Sequence, residues 1–226
     1  MYIFLILSLL ITVIAQIRVQ TAFHKYKKVR NKRGITGAEA ARQLLLDHSI
    51  TNVPIERISG NLTDHYDPGR NVIRLSEDVY DSDSVAAVGV AMHEAGHALQ
   101  YAQNYAPVRL RNAIVKSTNI SSKISYFLIL AGILFGGGNG RIGYTLITLG
   151  IIFFCAVVFF QIITLPVEFN ASGRAVRALK ETMVLNDEEQ KGVRKVLSAA
   201  AMTYVAAVAV SLLQLLRLLA IRGRRR

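Results

Sequence analysis

The ten residues Ala91-Met92-His93-Glu94-Ala95-Gly96-His97-Ala98-Leu99-Gln100 contain the pattern His-Glu-x-x-His. On a helix, residues i and i+4 share a face, so His93 and His97 can present two imidazoles to one point. That pair suits tetrahedral zinc, and Glu94, beside the first imidazole, suits a general base for a metal-bound water. Ala-rich residues 84–90 precede the motif, Asp81, Asp83 and Ser84 are available as caps, and no breaker follows until Pro107. These features predict a helix over about 84–104. Two His four apart also arise by chance. Burying both with a Glu in an apolar helix is nevertheless costly unless they are paired or bind metal. Gly96 weakens such a helix by up to roughly 1 kcal/mol relative to Ala. Either a side chain there would crowd the metal or an adjacent strand, or another helix crosses close by.

Composition indicates what surrounds this helix. The chain has 226 residues, 52% of them hydrophobic, with a net charge of +12 and a mean hydropathy of +0.34. So much apolar residue beside so much charge requires segregation, and the sequence is segregated. Residues 1–17 carry no charge, which is long enough for a short membrane span. Met1-Tyr2-Ile3-Phe4 carry no positive side chain, so the stretch reads as an uncleaved anchor rather than a signal peptide. Arg18, Lys25, Lys27, Lys28, Arg30, Lys32 and Arg33 follow with no acid among them. The positive-inside rule puts this flank in the cytoplasm, with anionic lipid headgroups rather than nucleic acid as its partner.

Thr36 and Glu39 form a capping box for a helix running to about His48 and burying Ala40, Leu44 and Leu45. Residues 53–58, 62–66 and 71–75 read as short strands, with a turn at Asp67-Pro68-Gly69-Arg70. Together they predict a small antiparallel sheet, either an ordinary hairpin or an edge that takes an extended peptide by strand addition. His65 reads as structural, and His24 and His48 as solvent-facing. Residues 124–165 are apolar and broken at Gly136-Gly137-Gly138-Asn139-Gly140-Arg141. Arms of about 15 and about 24 residues imply a transmembrane hairpin with a short first helix, or one span plus a re-entrant piece. Cys155 is the only cysteine, so no intramolecular disulfide exists, and it reads as apolar filler.

A catalytic zinc site usually has three protein ligands. Glu168 is the best-placed third: it lies just past Pro166, where a new helix can begin, and a hairpin returns it to the side of the histidines. An acid at a helix N-terminus is the plainer explanation. Residues 176–198 read as a charged amphipathic helix, interrupted where Asn186 or Asp187 caps a fresh start. Residues 199–221 are apolar apart from Arg217, which lies near enough to the end to snorkel, and the tail at 222–226 is basic. This segment either crosses the membrane or lies along it.

The run His93-Glu94-Ala95-Gly96-His97 with Leu165-Pro166-Val167-Glu168-Phe169-Asn170-Ala171-Ser172 closely resembles the bacterial membrane-anchored neutral zinc metallopeptidases, the YugP-like family. The resemblance extends over nearly the whole chain, including Tyr66-Asp67-Pro68. More distantly, the sequence is similar to the HtpX heat-shock proteases and the CAAX prenyl-protein endopeptidases, gluzincins with two His and a downstream Glu as ligands. The resemblance implies one Zn2+ held by His93, His97 and Glu168, with Glu94 catalytic. Those distant relatives carry an Asp four residues after the ligand Glu. Here that position is Ser172, so Ser172 or Asn170 is left to orient a ligand histidine.

The expectation is a mainly α membrane protein with a small antiparallel β-sheet and a gluzincin-like core. Its parts are an anchor at 1–17, a catalytic part at 18–123, the transmembrane hairpin at 124–165, the third-ligand helical region at 166–198, an apolar helix at 199–221 and the basic tail. The expected function is a multi-pass cell-membrane endopeptidase with its catalytic face in the cytoplasm. It would act on peptides or membrane proteins near the bilayer surface, with Tyr66 or Arg74 helping to stabilise the oxyanion. A zinc-binding scaffold without catalysis is the alternative. A transporter would carry ionisable residues inside its spans, and residues 142–165 have none.

Overall fold

The computed structural model describes residues 2–135 and 140–223 and is mainly helical. The turn expected at residues 136–139 and the end of the basic tail lie outside the described residues. The elements in order are α1 (Tyr2–Lys27), α2 (Gly37–Asp47), β1 (Ile55–Ile58), β2 (His65–Asp67), β3 (Val72–Ser76), α3 (Glu77–Tyr80), α4 (Val85–Ala102), α5 (Ala106–Leu134), α6 (Arg141–Thr182) and α7 (Asp187–Arg222). They divide between two compact units, one of 16–108 and 167–202, the other of 1–15, 109–166 and 203–226.

The first unit is built on α4. Ser84 caps it, its side chain accepting from the Ala87 N–H. α2 starts where Thr36 and Glu39 form the expected reciprocal cap and buries Ala40, Ala41, Leu44 and Leu45 in the core that α4 lines with Val88, Ala91, Ala95 and Leu99. Close packing of α2 depends on Gly37, where a Cβ would lie 2.3 Å from the Val79 carbonyl oxygen and 3.2 Å from the Ala91 Cβ. Phe23, in α1 beyond the expected anchor, packs on Ala86 and Val196. Part of the basic flank is neutralised here: Lys27 pairs with Asp78 at 2.5 Å and Arg30 with Asp83 at 2.9 Å.

The three-stranded sheet has the order β1-β3-β2. It is mixed, not antiparallel throughout as expected: β1 runs parallel to β3, with Ile55 opposite Ile73, while β2 is antiparallel to it, with Tyr66 opposite Ile73. The reason is burial. Val72, Ile73, Leu75 and Ser76 of β3 are all buried, whereas Glu56 and Arg57 of β1 are exposed. The most apolar strand takes the centre and the more polar strands take the edges, so β1 and β2 do not meet in a hairpin.

In the second unit, α5 and α6 pack antiparallel. The Ser125 hydroxyl donates to the Gly150 carbonyl at 2.8 Å. A Cβ on Gly132 would lie 2.7 Å from the Ile147 side chain, and one on Gly150 2.6 Å from that of Ile129. The C-terminal part of α7 returns beside the start of α6: Leu218 packs on Ile147 and Ile151, and Arg222 donates to the Tyr144 hydroxyl at 2.8 Å. Residues 203–222 thus run antiparallel to the apolar part of α6, which defines the direction of a segment whose course the sequence left open. Cys155 is exposed on α6 rather than filling a core.

Pro166 does not begin a new helix as expected; α6 runs unbroken through it. Proline forfeits one backbone hydrogen bond and crowds the preceding turn. Burial of Val167, Ala171, Ala175 and Leu179 beyond it outweighs that cost. Asn186 then caps α7, its side-chain oxygen accepting from the backbone of Glu188 and Glu189 at 3.0 Å each. Among the described residues, α1, α6 and α7 are long and apolar enough to cross a bilayer. On α1, Ile3, Ile6, Leu9, Leu10 and Ile14 are all exposed, an apolar surface suited to lipid rather than water.

Gly37→Ala should lower stability by about 1–3 kcal/mol, because overpacking against backbone outweighs the gain in helix propensity. Thermal unfolding of the detergent-purified protein, followed by circular dichroism, tests this. An unchanged or higher midpoint would contradict the close approach of α2.

Candidate metal centre

α4 and α6 meet at Gly96. A Cβ there would lie 2.6 Å from the Ala171 carbonyl oxygen, so of the two accounts of this glycine the close helix crossing holds. The crossing brings Glu168, one turn before Ala171, against the face of α4 that carries both histidines. Glu168 Oε2 stands 3.4 Å from His93 Nε2 and 3.4 Å from His97 Nε2. The ligand atoms of all three residues lie within 4.8 Å of one another. Charge-assisted N–H···O bonds close to about 2.7–2.9 Å, and these contacts do not. Ligands about 2.0–2.1 Å from a tetrahedral zinc stand about 3.3 Å apart. The spacing fits three donors sharing one ion better than three groups bonding to each other. The donor set, two imidazoles and a carboxylate, is one zinc accepts.

Hydrogen bonds behind the histidines orient them. Arg174 can only donate, and its Nε does so to Asn170 Oδ1 at 2.7 Å. Gln100 must therefore turn its amide nitrogen to that oxygen, at 2.9 Å, and also reaches the Val167 carbonyl at 2.8 Å. Its Oε1 is left facing His97 Nδ1 at 3.0 Å. An amide oxygen only accepts, so Nδ1 carries the proton and Nε2 offers its lone pair toward Glu168. His93 is held likewise, with Ser172 Oγ 3.1 Å from its Nδ1. Arg174 also donates to Gln103 and lies over the Tyr105 ring. Burial, with Arg177 nearby, lowers its pKa.

Electrostatics follow the same geometry. Burial of Glu168 works to raise its pKa, but the two imidazoles facing its Oε2 overcome that and hold it well below the ordinary carboxylate range. Burial disfavours the imidazolium of His97, yet Glu168 and Glu94 hold its pKa above the usual value. Glu94 is buried, and its Oε2 accepts the Tyr66 N–H at 2.9 Å, which ties it to the edge strand β2. Asp64, just before β2, accepts from the Ser76 N–H at 2.7 Å and from its hydroxyl. Burial raises its pKa against those bonds.

The two oxyanion candidates are otherwise engaged. The Tyr66 hydroxyl donates to Asn71 Oδ1 at 2.7 Å, and burial pushes its pKa up to about 12. Arg74 bonds Glu56 at 3.1 Å and Asp67 at 2.8 Å. His65 is exposed, its Nδ1 on the Thr63 carbonyl. His24 and His48 are also exposed, and neither joins the cluster.

Residues 1–223 match the family described as "Putative neutral zinc metallopeptidase". The chain belongs to that family. It is also 51% identical over 203 residues to the "Putative membrane protease YugP" of Bacillus subtilis (strain 168), a match covering 90% of this chain and 88% of that protein. No solved structure matches. For a neutral zinc metallopeptidase the donor set is in keeping, and the residues that sequence reasoning missed are those behind it. Gln100 carried one signal: a polar residue three positions after His97 on the same helix face. Arg174 carried one too, four positions after Asn170 on α6, although its other partners, Gln103 and Tyr105, lie far from it in sequence.

Gln100→Ala should weaken zinc binding about 10- to 100-fold, because His97 loses the acceptor that sets its tautomer. Competition with a chromophoric chelator measures this. Affinity within twofold of the parent would contradict the relay.

Proposed function

We propose that the chain is a membrane-bound zinc-dependent endopeptidase that hydrolyses peptide bonds near the bilayer surface. The observation that carries this reading is the convergence of His93, His97 and Glu168 beside Glu94. Family membership and the name of the Bacillus relative support it. The three donors hold one Zn2+ in this reading, with His93 and His97 ligating through Nε2. The bound ion would polarise the scissile carbonyl and lower the pKa of its water to about 7.

The other steps belong to the chain's own groups. Glu94 accepts a proton from the attacking water and returns it to the departing amine. The Tyr66 N–H orients the Glu94 carboxylate until substrate arrives, and the free edge of β2 takes the substrate backbone as an added strand. Tyr66 and Arg74 remain the proposed aids to the oxyanion, each needing to leave its present partner. Action at the membrane is supported by α6, whose apolar run ends at Leu165, three residues before Glu168. Three long apolar helices support a multi-pass protein, with α5 completing a hairpin against α6. The basic flank after residue 17 supports a cytoplasmic catalytic face, through the positive-inside rule. A zinc scaffold without catalysis would have no use for the base at Glu94.

Glu94→Gln should keep zinc but lose about 100- to 10,000-fold in peptide hydrolysis. Metal analysis and a peptide assay with and without chelator test both halves, and undiminished hydrolysis would remove the role. Glu168→Ala should weaken zinc binding more than about 100-fold, beyond the loss expected from an outer contact. Parental affinity would show that Glu168 is not a ligand.

A further inference from the structure

The unit formed by 1–15, 109–166 and 203–226 holds a groove of about 330 Å³. Ile129, Leu130 and Ile133 of α5 and Phe154 of α6 give it apolar lining, and Gln214 and Arg217 of α7 line it as well. Arg217 is only half satisfied. One terminal nitrogen donates to Gln214 Oε1 at a long 3.3 Å, and the buried Nε has no hydrogen-bond partner among the described residues.

Nothing in the unit can neutralise it. Its three segments carry Arg109, Arg111, Lys116, Lys123, Arg141, Arg217, Arg222 and the terminal arginines, and not one Asp or Glu. A cation on an apolar helix is costly to leave in hydrocarbon without a partner, so the counter-charge comes from outside this unit. In a bilayer the abundant anion is the phospholipid phosphate, whose oxygens match the guanidinium fork, while an apolar wall beside it matches an acyl chain. We propose that this groove binds one anionic phospholipid, its phosphate on Arg217 and Gln214 and one acyl chain along Ile129, Leu130 and Ile133. An anionic headgroup is preferred because a zwitterionic one brings a second cation toward Arg217. The site is separate from the basic flank that follows residue 17 and does not depend on the protease reading.

Native mass spectrometry of the full chain in detergent, titrated with dioleoyl-phosphatidylglycerol or dioleoyl-phosphatidylcholine, tests it. The parent should retain one phosphatidylglycerol and bind phosphatidylcholine at least tenfold more weakly. Arg217→Gln should lose tenfold or more of the phosphatidylglycerol affinity, and Arg217→Lys should lose less. Arg141→Gln, which alters an exposed arginine of the same unit, should bind like the parent. Leu130→Trp keeps Arg217 and fills the apolar wall, so it should also weaken retention. The thermal unfolding midpoint, followed by circular dichroism, reports whether each variant is folded. Equal retention of both lipids, parental retention by Arg217→Gln or by Leu130→Trp, or a lipid-free dimer in detergent would each overturn the proposal.

Discussion

The architecture depends on one meeting of like-minded donors: two imidazoles and a carboxylate aimed at one buried point. Left to themselves these groups are expensive. Glu168 is almost wholly buried, and a carboxylate removed from water needs compensation of matching size. The imidazoles supply part of it, at distances too long for strong hydrogen bonds. A divalent ion would supply the rest, and the surrounding fold reads as machinery for keeping three donors close without letting them collapse together.

That machinery has two parts. One is steric: Gly96 lets the backbone of α6 come against α4 where Glu168 must reach the histidines. The other is a chain of hydrogen bonds whose direction is dictated from its far end. Arg174 has no acceptor to offer, so Asn170, Gln100 and His97 are each left one orientation. A guanidinium outside the three-donor cluster thereby fixes which nitrogen of His97 faces Glu168. Ser172 holds the His93 ring, with its Oγ 3.1 Å from Nδ1.

The sequence made local chemistry legible and left assembly mostly hidden. His93, Glu94 and His97 could be placed because one helix sets their spacing, and Thr36 with Glu39, or Asn186 with its acids, because a cap is a contact three residues long. Glu168 could be expected near the histidines from its place after an apolar hairpin, but the helix start expected at Pro166 is absent: burial on the far side of the proline outweighed its local cost. The mixed sheet escaped notice because alternation along a strand reveals its faces and not its neighbours. Gln100 and Arg174 looked like ordinary polar residues until α4 and α6 were brought together. Lys27 and Arg30 looked like parts of an unpaired basic run, although their partners lie some fifty residues away in Asp78 and Asp83.

The segregation of charge from apolar sequence gives the other half of the account. One unit contains every Asp and Glu of the chain and the candidate metal centre; the other contains no Asp or Glu. The most direct test of the central claim is X-ray absorption at the zinc edge on detergent-purified protein loaded with one equivalent of zinc. The account predicts two imidazoles and oxygen ligands at about 2.0–2.1 Å. A spectrum with one imidazole or none, or with six oxygens as in hydrated zinc, would contradict it.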